Sequence, residues 1–407
     1  MIQLIKSSHY FRKMELPLEK KQIKLAILSI ASLLMISMTA SAILADIELH
    51  FPYLEASVIQ MVLTLPALLG LIFAFAAGPL SMRISKKSLV IFSLASGLAG
   101  GLIALILGPL AIGFLFLSSV LIGVAQGINA TMTMALITDY FTGDESGAMM
   151  GLQSAFLNGG SMILLFTSGL LAYGKWNHAY LVYLAFIPVL LIVIKNLPHD
   201  RPIRPNRQNT PADSGKLNVS VYFIALFIFL FGSFFFVFQT NIALLIVSKG
   251  YGDATLSGMI NTAVAAAGMI TGLQYGNLKR RLKTMAIPIG IGAVGLGMGV
   301  IYIQGSLPSI FVAAILVGFG IGIVMPTGIF LAANAVQKEM QSTAIALVTA
   351  AVNLGMFISP LLFNTVAFQT DGENFSIKFI ISSICLLLLA VLFVICNQII
   401  LKNFNSK

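Results

Sequence analysis

Residues 78–87 read GPLSMRISKK. An apolar run stops at Gly78-Pro79, three cations follow (Arg83, Lys86 and Lys87), and a second apolar run starts at Leu89. Two long apolar runs joined by a short basic link are what a helical hairpin needs to cross a bilayer twice and leave its cations in water. How far this reading extends depends on how many such runs the chain holds.

The composition says that it extends throughout. The 407 residues are 58% hydrophobic and 9% charged, where a soluble domain carries about a quarter charged residues. Apolar runs span Leu25–Ala45, Val58–Ala77, Leu89–Leu107, Gly113–Leu136, Met150–Ala172, Tyr180–Ile194, Val221–Val247, Leu256–Leu273, Met285–Ile303, Ile310–Ala333, Ile345–Phe368 and Phe379–Cys396. Most approach the ~20 residues a helix needs to cross ~30 Å of hydrocarbon; the sixth is short, and its flanks, His178 to Asn196, complete the crossing. Lipid satisfies no backbone hydrogen bonds, so the expected fold class is an all-α integral membrane protein of twelve helices. The opposing reading, a large soluble core, would need amphipathic charged outer helices, which the sequence lacks.

Charge sets the expected orientation. With the N-terminus inside, all but Lys175, Lys249 and Lys378 of the 24 basic residues fall on inner segments, as the positive-inside rule requires. Both termini are therefore expected in the cytoplasm of a cell-membrane protein, with Asp46–Glu55 and Asp371–Glu373 outside. The net charge of +10 follows from inner loops facing anionic lipid and calls for no nucleic acid. The first run is a full span without a cleavage site and reads as a retained helix. Cys385 and Cys396 share one run and read as packing or lipid-facing residues, not as a metal or disulfide pair.

Residues 197–218 (LPHDRPIRPNRQNTPADSGKLN) are rich in Pro, Asn and Arg and read as a solvated linker. They divide the chain into 1–196, an N-terminal six-helix bundle, and 219–407, a C-terminal one. The halves also match each other. A shift of 195 residues lays Leu121, Gly123, Gly127 and Ile128 on Leu316, Gly318, Gly322 and Ile323, and Leu152, Ala155, Asn158, Gly160 and Ile163 on Leu347, Ala350, Asn353, Gly355 and Ile358. A shift of 198 lays Gly78, Leu80 and Arg83 on Gly276, Leu278 and Arg281. One offset shared by separate helix pairs points to duplication.

Twelve runs, a basic central linker and a Gly-x-Leu hairpin after runs two and eight resemble the major facilitator superfamily of secondary transporters. In its hairpin signature Gly78, Leu80, Ser81, Arg83, Lys86 and Lys87 fit, while Met82 stands for the usual Asp and Ser85 for the second Gly. The helix-four signature is represented by Gln126-Gly127 without its Arg, and the helix-five Gly-Pro of drug antiporters is absent after Asn158-Gly159-Gly160. The resemblance implies two bundles rocking about a central site. It also implies gating roles for Gly78, Arg83, Gly276 and Arg281, with Asp139 as the acid that Arg83 would latch when the protein faces outward. The opposing reading leaves Arg83 to topology and Asp139 to a helix end. Gly123, Gly127, Gly318, Gly320 and Gly322 are expected to let helices approach closely.

No Lys, Arg, Asp, Glu or His lies within the twelve runs as bounded, so no deep carboxylate offers a proton relay. Asp46 remains a possible coupling residue, set against its reading as part of a solvated loop with Glu48 and Glu55. The candidate substrate contacts are neutral. Gln126, Asn129 and Thr133 share one helical face; Gln239 lies in the seventh run, Asn261 in the eighth, and Asn158 and Asn353 are repeat-related. Phe234, Phe235, Phe236 and Phe238 could supply an aromatic wall. No nucleophile-base pair, phosphate loop or metal pattern supports an enzyme, and no cofactor is expected. The expected activity is alternating-access transport, outward, of a small neutral or amphipathic solute by a monomer. The alternatives are a ligand sensor without turnover and a proton-coupled antiporter that uses the outer acidic cluster.

Overall fold

A computed structural model describes residues 20–142, 144–198, 218–337, 340–371 and 375–404. The linker expected at 197–218 and both chain ends lie almost wholly outside the described residues. Among the described residues, twelve helices are long and apolar enough to cross a membrane: α1 Lys20–Ala42, α2 Ala56–Ser81, α3 Lys86–Ile106, α4 Ile112–Tyr140, α5 Ala148–Leu171, α6 Trp176–Asn196, α7 Val219–Ser248, α8 Ala254–Leu273, α9 Ala286–Ile303, α10 Leu307–Asn334, α11 Thr343–Thr365 and α12 Phe375–Cys396. The face bearing the α2–α3 and α8–α9 links is called the basic face below, and its opposite the far face.

Local chemistry explains the opening hairpin. Helix α2 carries Pro79 in its last turn, and Ser85 caps α3 by accepting the Ser88 N–H. The three intervening residues, Met82, Arg83 and Ile84, are exposed. The repeat-related link is built differently. It is a short helix, Tyr275–Leu282, ended at Lys283 with φ +48°, a left-handed conformation that costs a residue with a Cβ.

The duplication appears in the packing. A Cβ on Gly127 would lie 2.2 Å from the Gly70 carbonyl oxygen, and one on its mate Gly322 would lie 2.8 Å from that of Gly268. Gly123 seats α4 on Leu69 and Pro66 of α2, while Gly318 seats α10 on Val264 of α8. Gly160 and Gly355 bring α5 onto Ser32 of α1 and α11 onto Phe229 of α7. Each matched glycine thus removes a side chain at the equivalent crossing of its own half, where bare backbone contact replaces the hydrophobic drive that lipid cannot supply.

Helix α1 is not regular throughout. It is α-helical over 20–31, runs through turns at 32–35 and continues as a 3₁₀ segment over Ile36–Ala42. Its sequence is dense in hydroxyls that bond back to their own helix: Ser29 to the Ala26 carbonyl, Ser32 to Ser29 and Thr39 to Ile36. Such bonds compete with the helical ladder and bend it. Neighbouring helices satisfy what is released: Tyr183 of α6 donates to the Ile36 carbonyl and Ser168 of α5 to that of Thr39.

Candidate functional site

The broken segment of α1 organises the middle of the N-terminal half. Ser37 donates to Gln126 Oε1 at 2.9 Å, tying α1 to α4. Gln126 and Asn129 share the wall of a small cleft with Leu33, Ile36, Ile122 and Phe186. Two of the candidates grouped by helical spacing are therefore brought together. Asn129 is buried, however, and its Oδ1 accepts from Ser93 of α3 at 2.6 Å. Thr133 is fully buried, bonds the Asn129 carbonyl and accepts from Gln153 of α5. Both are committed to neighbours within their half in this state.

The remaining amides divide by what they lack. Asn158 is half-buried and bonds the Ser154 carbonyl of its own helix; Asn353 is half-buried. Gln239 and Asn261 are buried on α7 and α8, and neither Gln239 Oε1 nor Asn261 Oδ1 has a protein partner among the described residues. Asn261 spends its N–H on Ser257. An unmet buried acceptor costs about 1–3 kcal/mol, so these two oxygens are the strongest calls for a donor in the C-terminal half. Of the phenylalanines, Phe235, Phe236 and Phe238 are buried in the core, and Phe234 packs on Phe363.

On the basic face the expected latch is not formed in this state. Asp139 is engaged by Lys86, while Arg83 and Arg281 are exposed. Ser85 starts α3 and so places Lys86 in its first turn beside the end of α4. Gly78 and Gly276, to which the resemblance gives gating roles, border open space in this state. Both are helical, and a Cβ on either would meet nothing within 4 Å.

The halves join near the far face. Gly169 of α5 and Gly258 of α8 meet backbone to backbone, with Thr255 donating to the Gly169 carbonyl. On the opposite flank, Gln60 of α2 donates to the Thr240 carbonyl and to Asn241 Oδ1 of α7, each at 3.1 Å. Asn364 of α11 donates to Gln60 Oε1 and to Ser57. Among the described residues, the hydrogen bonds found between the halves all lie here, so the protein is in a state closed at its far face.

This closure refines one reading and corrects another. Lys378, counted with the outer residues because it precedes the twelfth run by one residue, stands at the far face but is buried in the first turn of α12, where it bonds Asn241 and Asn364. Asp46 is not in an open loop. It sits in a short helix, Leu44–His50, half-buried, and its carboxyl is pushed up to about 6 by desolvation first and by the nearby charge of Asp253 second. Burial also raises Glu48, with Lys378 pulling the other way. Glu55 is exposed at the start of α2. Gln60, Asn364 and Lys378 were not singled out from sequence. The signal available was their position: three polar residues at the far ends of runs two, eleven and twelve.

The model of the Major Facilitator Superfamily matches residues 25–360 and 224–398. The chain belongs to that superfamily. Solved structures share its fold. A nucleoside transporter, NupG, superposes with a TM-score of 0.76 at 12% identity, covering 92% of this chain and 99% of its own. The POT family transporter PepTSo gives 0.74 at 14%, covering 93% and 98%. A POT peptide transporter crystallised with sulfate gives 0.74 at 13%, covering 93% and 94%. Sequence comparison with curated proteins gives no match. Family and fold together indicate a multi-pass membrane transporter, not an enzyme.

Proposed function

We propose that this superfamily member is a secondary transporter that carries a small neutral or amphipathic organic solute outward across the cell membrane by alternating access, with the basic face cytoplasmic. The observation that carries the reading is the division of labour just described. Two halves meet through small residues and amides at one face, while the buried polar atoms left unmet among the described residues, those of the amides Gln239 and Asn261 and the hydroxyls of Ser41, Thr64, Ser118, Tyr275 and Ser359, are all uncharged. Neutral hydrogen bonds then orient the solute and apolar surface supplies most of its affinity. Gln126 belongs to this set through the α1–α4 cleft; Asn129, Thr133, Asn158 and Asn353 join it once the halves rearrange. Arg83, with Asp139, and Arg281 act at the basic face in the opposite state, where Gly78 and Gly276 would meet the other half. Residues 1–196, 197–218 and 219–407 are the proposed bundle, linker and bundle.

A second reading is favoured by Asp46. A carboxyl that titrates near 6 at the closed gate is suited to couple proton movement to gate closure, which would make the protein a proton-linked antiporter.

Ligand-induced thermal stabilisation across drugs, nucleosides, peptides, sugars and organic acids identifies the solute class. Counterflow of the labelled hit in proteoliposomes then tests turnover: exchange is expected, and saturable binding without exchange would make the protein a sensor. Comparison of right-side-out and inverted vesicles, with and without a protonophore, tests direction and coupling.

A further inference from the structure

A lysine buried at the edge of a membrane span demands a reason, because its charge is costly there. Lys378 is only 6% exposed. Among the described residues no carboxylate lies within ion-pair distance of it, and its Nζ donates instead to two amide oxygens, Asn241 Oδ1 at 3.2 Å and Asn364 Oδ1. All three residues belong to the C-terminal half. Their consequence crosses to the other half.

An amide has one acceptor end and one donor end. By taking the oxygen of Asn364, the ammonium leaves its Nδ2 to face α2, where it donates to Gln60 Oε1 at 2.9 Å and to Ser57 Oγ at 3.0 Å. Asn241 is held the other way round. Its Nδ2 is used on the Val237 carbonyl and Thr240 Oγ1, so its Oδ1 is presented to Lys378 and to Gln60 Nε2 at 3.1 Å. Gln60 therefore enters a slot with an acceptor on one wall and a donor on the other. A carboxamide fits both without turning over. A flipped Asn364 would set oxygen against oxygen.

We propose that Lys378 is the positioning residue of the far-face gate. It does not bridge the halves itself; it fixes the orientation of Asn241 and Asn364 so that together they clamp the Gln60 amide and hold the gate shut. The proposal rests on the alternating-access reading but not on the identity of the solute, the direction of transport or the coupling ion.

The test is gate opening in purified protein in nanodiscs, which needs neither solute nor sidedness. Cys385 and Cys396 are replaced by Ser, and Ala254→Cys is introduced as the reporter. Ala254 is buried on the α5–α8 flank of the same gate, beside Gly169 and away from the clamp. A polar maleimide reports how often that flank opens. Lys378→Met and Gln60→Leu are each expected to raise the labelling rate by about fivefold or more, the range of an ordinary coupling between sites. The double variant is expected to label no faster than the faster single one, because Lys378 acts only through what Gln60 binds.

Asn364→Asp provides an independent arm should Lys378→Met fail to fold. It keeps Lys378 paired, and more strongly, yet removes the donor aimed at Gln60 and Ser57. It is expected to open the gate, because the bonds from Asn364 to Gln60 and Ser57 are lost although Lys378 keeps its partner. Unchanged labelling in Asn364→Asp overturns the proposal. So does unchanged labelling in a folded Lys378→Met protein, or multiplicative rates in the double variant.

Discussion

Adding a single methyl at Gly258 tests whether the far-face closure depends on bare backbone. A Cβ built there lies 2.9 Å from the Gly169 Cα and 3.1 Å from the Leu165 carbonyl oxygen, and one on Gly169 lies 3.0 Å from both the Ala254 carbonyl oxygen and the Gly258 Cα. Carbon atoms pack at about 3.5–4.0 Å, so α5 and α8 must separate by roughly 0.6–1.1 Å. The obstructing atoms are backbone and cannot rotate away. Overpacking of this kind costs about 1–3 kcal/mol, which shifts a closed-to-open ratio by about 5- to 150-fold. The assay is a spin-label distance between Tyr173→Cys and Ile303→Cys, exposed far-face positions on opposite halves, with both native cysteines replaced. Gly258→Ala is expected to add a longer-distance population, and Gly258→Val a dominant one. Gly292→Ala, whose Cβ would meet nothing within 4 Å, serves as the control and leaves the distribution unchanged. A wild-type distribution in folded Gly258→Val would refute the reasoning, because it would mean that the halves close without this contact.

The carboxyl of Asp46 gives the same distance a pH dependence. Its value rises from 3.8 to about 6 in the closed state, so closing favours the protonated form; the closed fraction is expected to increase as pH falls through 6 and to level off near 4, and Asp46→Asn removes that response. A pH-independent distance in the wild-type protein would leave Asp46 without a gating role. Gln239→Leu is expected to weaken solute binding by about 1–3 kcal/mol in calorimetric titration, with little salt dependence; unchanged affinity takes Gln239 out of the site. Arg83→Ala is expected to slow exchange in proteoliposomes while leaving affinity within a few-fold, since a gate acts on the conformational equilibrium; normal exchange returns Arg83 to topology. Cysteines at Asn209 and Glu373 are expected to label from opposite sides of oriented vesicles, and labelling from one side would overturn the proposed topology.

The architecture was legible because lipid leaves few choices. Twelve apolar runs with basic links determine a helical fold, and glycines repeated at one offset mark where equivalent helices touch in both halves. Gly127 with Gly322, and Gly123 with Gly318, sit at the close crossings expected of them, and Gly160 with Gly355, matched only as repeat partners, proves to do the same. The site was less legible, because a spacing argument places residues on a face without saying what the face meets. Gln126 and Asn129 do line one cleft, yet Asn129 is also taken up by Ser93, a partner 36 residues away. Asp139 found Lys86 in place of Arg83 because the capped start of α3 carries that cation to the end of α4. The far-face gate was the least legible part. Gln60, Asn241, Asn364 and Lys378 are separated by up to 318 residues in sequence, and each looks ordinary at the end of its own apolar run. Only the tertiary structure, by pressing the two halves together and excluding water, turned a flanking lysine into a buried one and two asparagines into the walls of a slot for glutamine. Hydrophobicity is a property each segment carries alone; the partner of a polar group is decided by whatever the fold sets across from it.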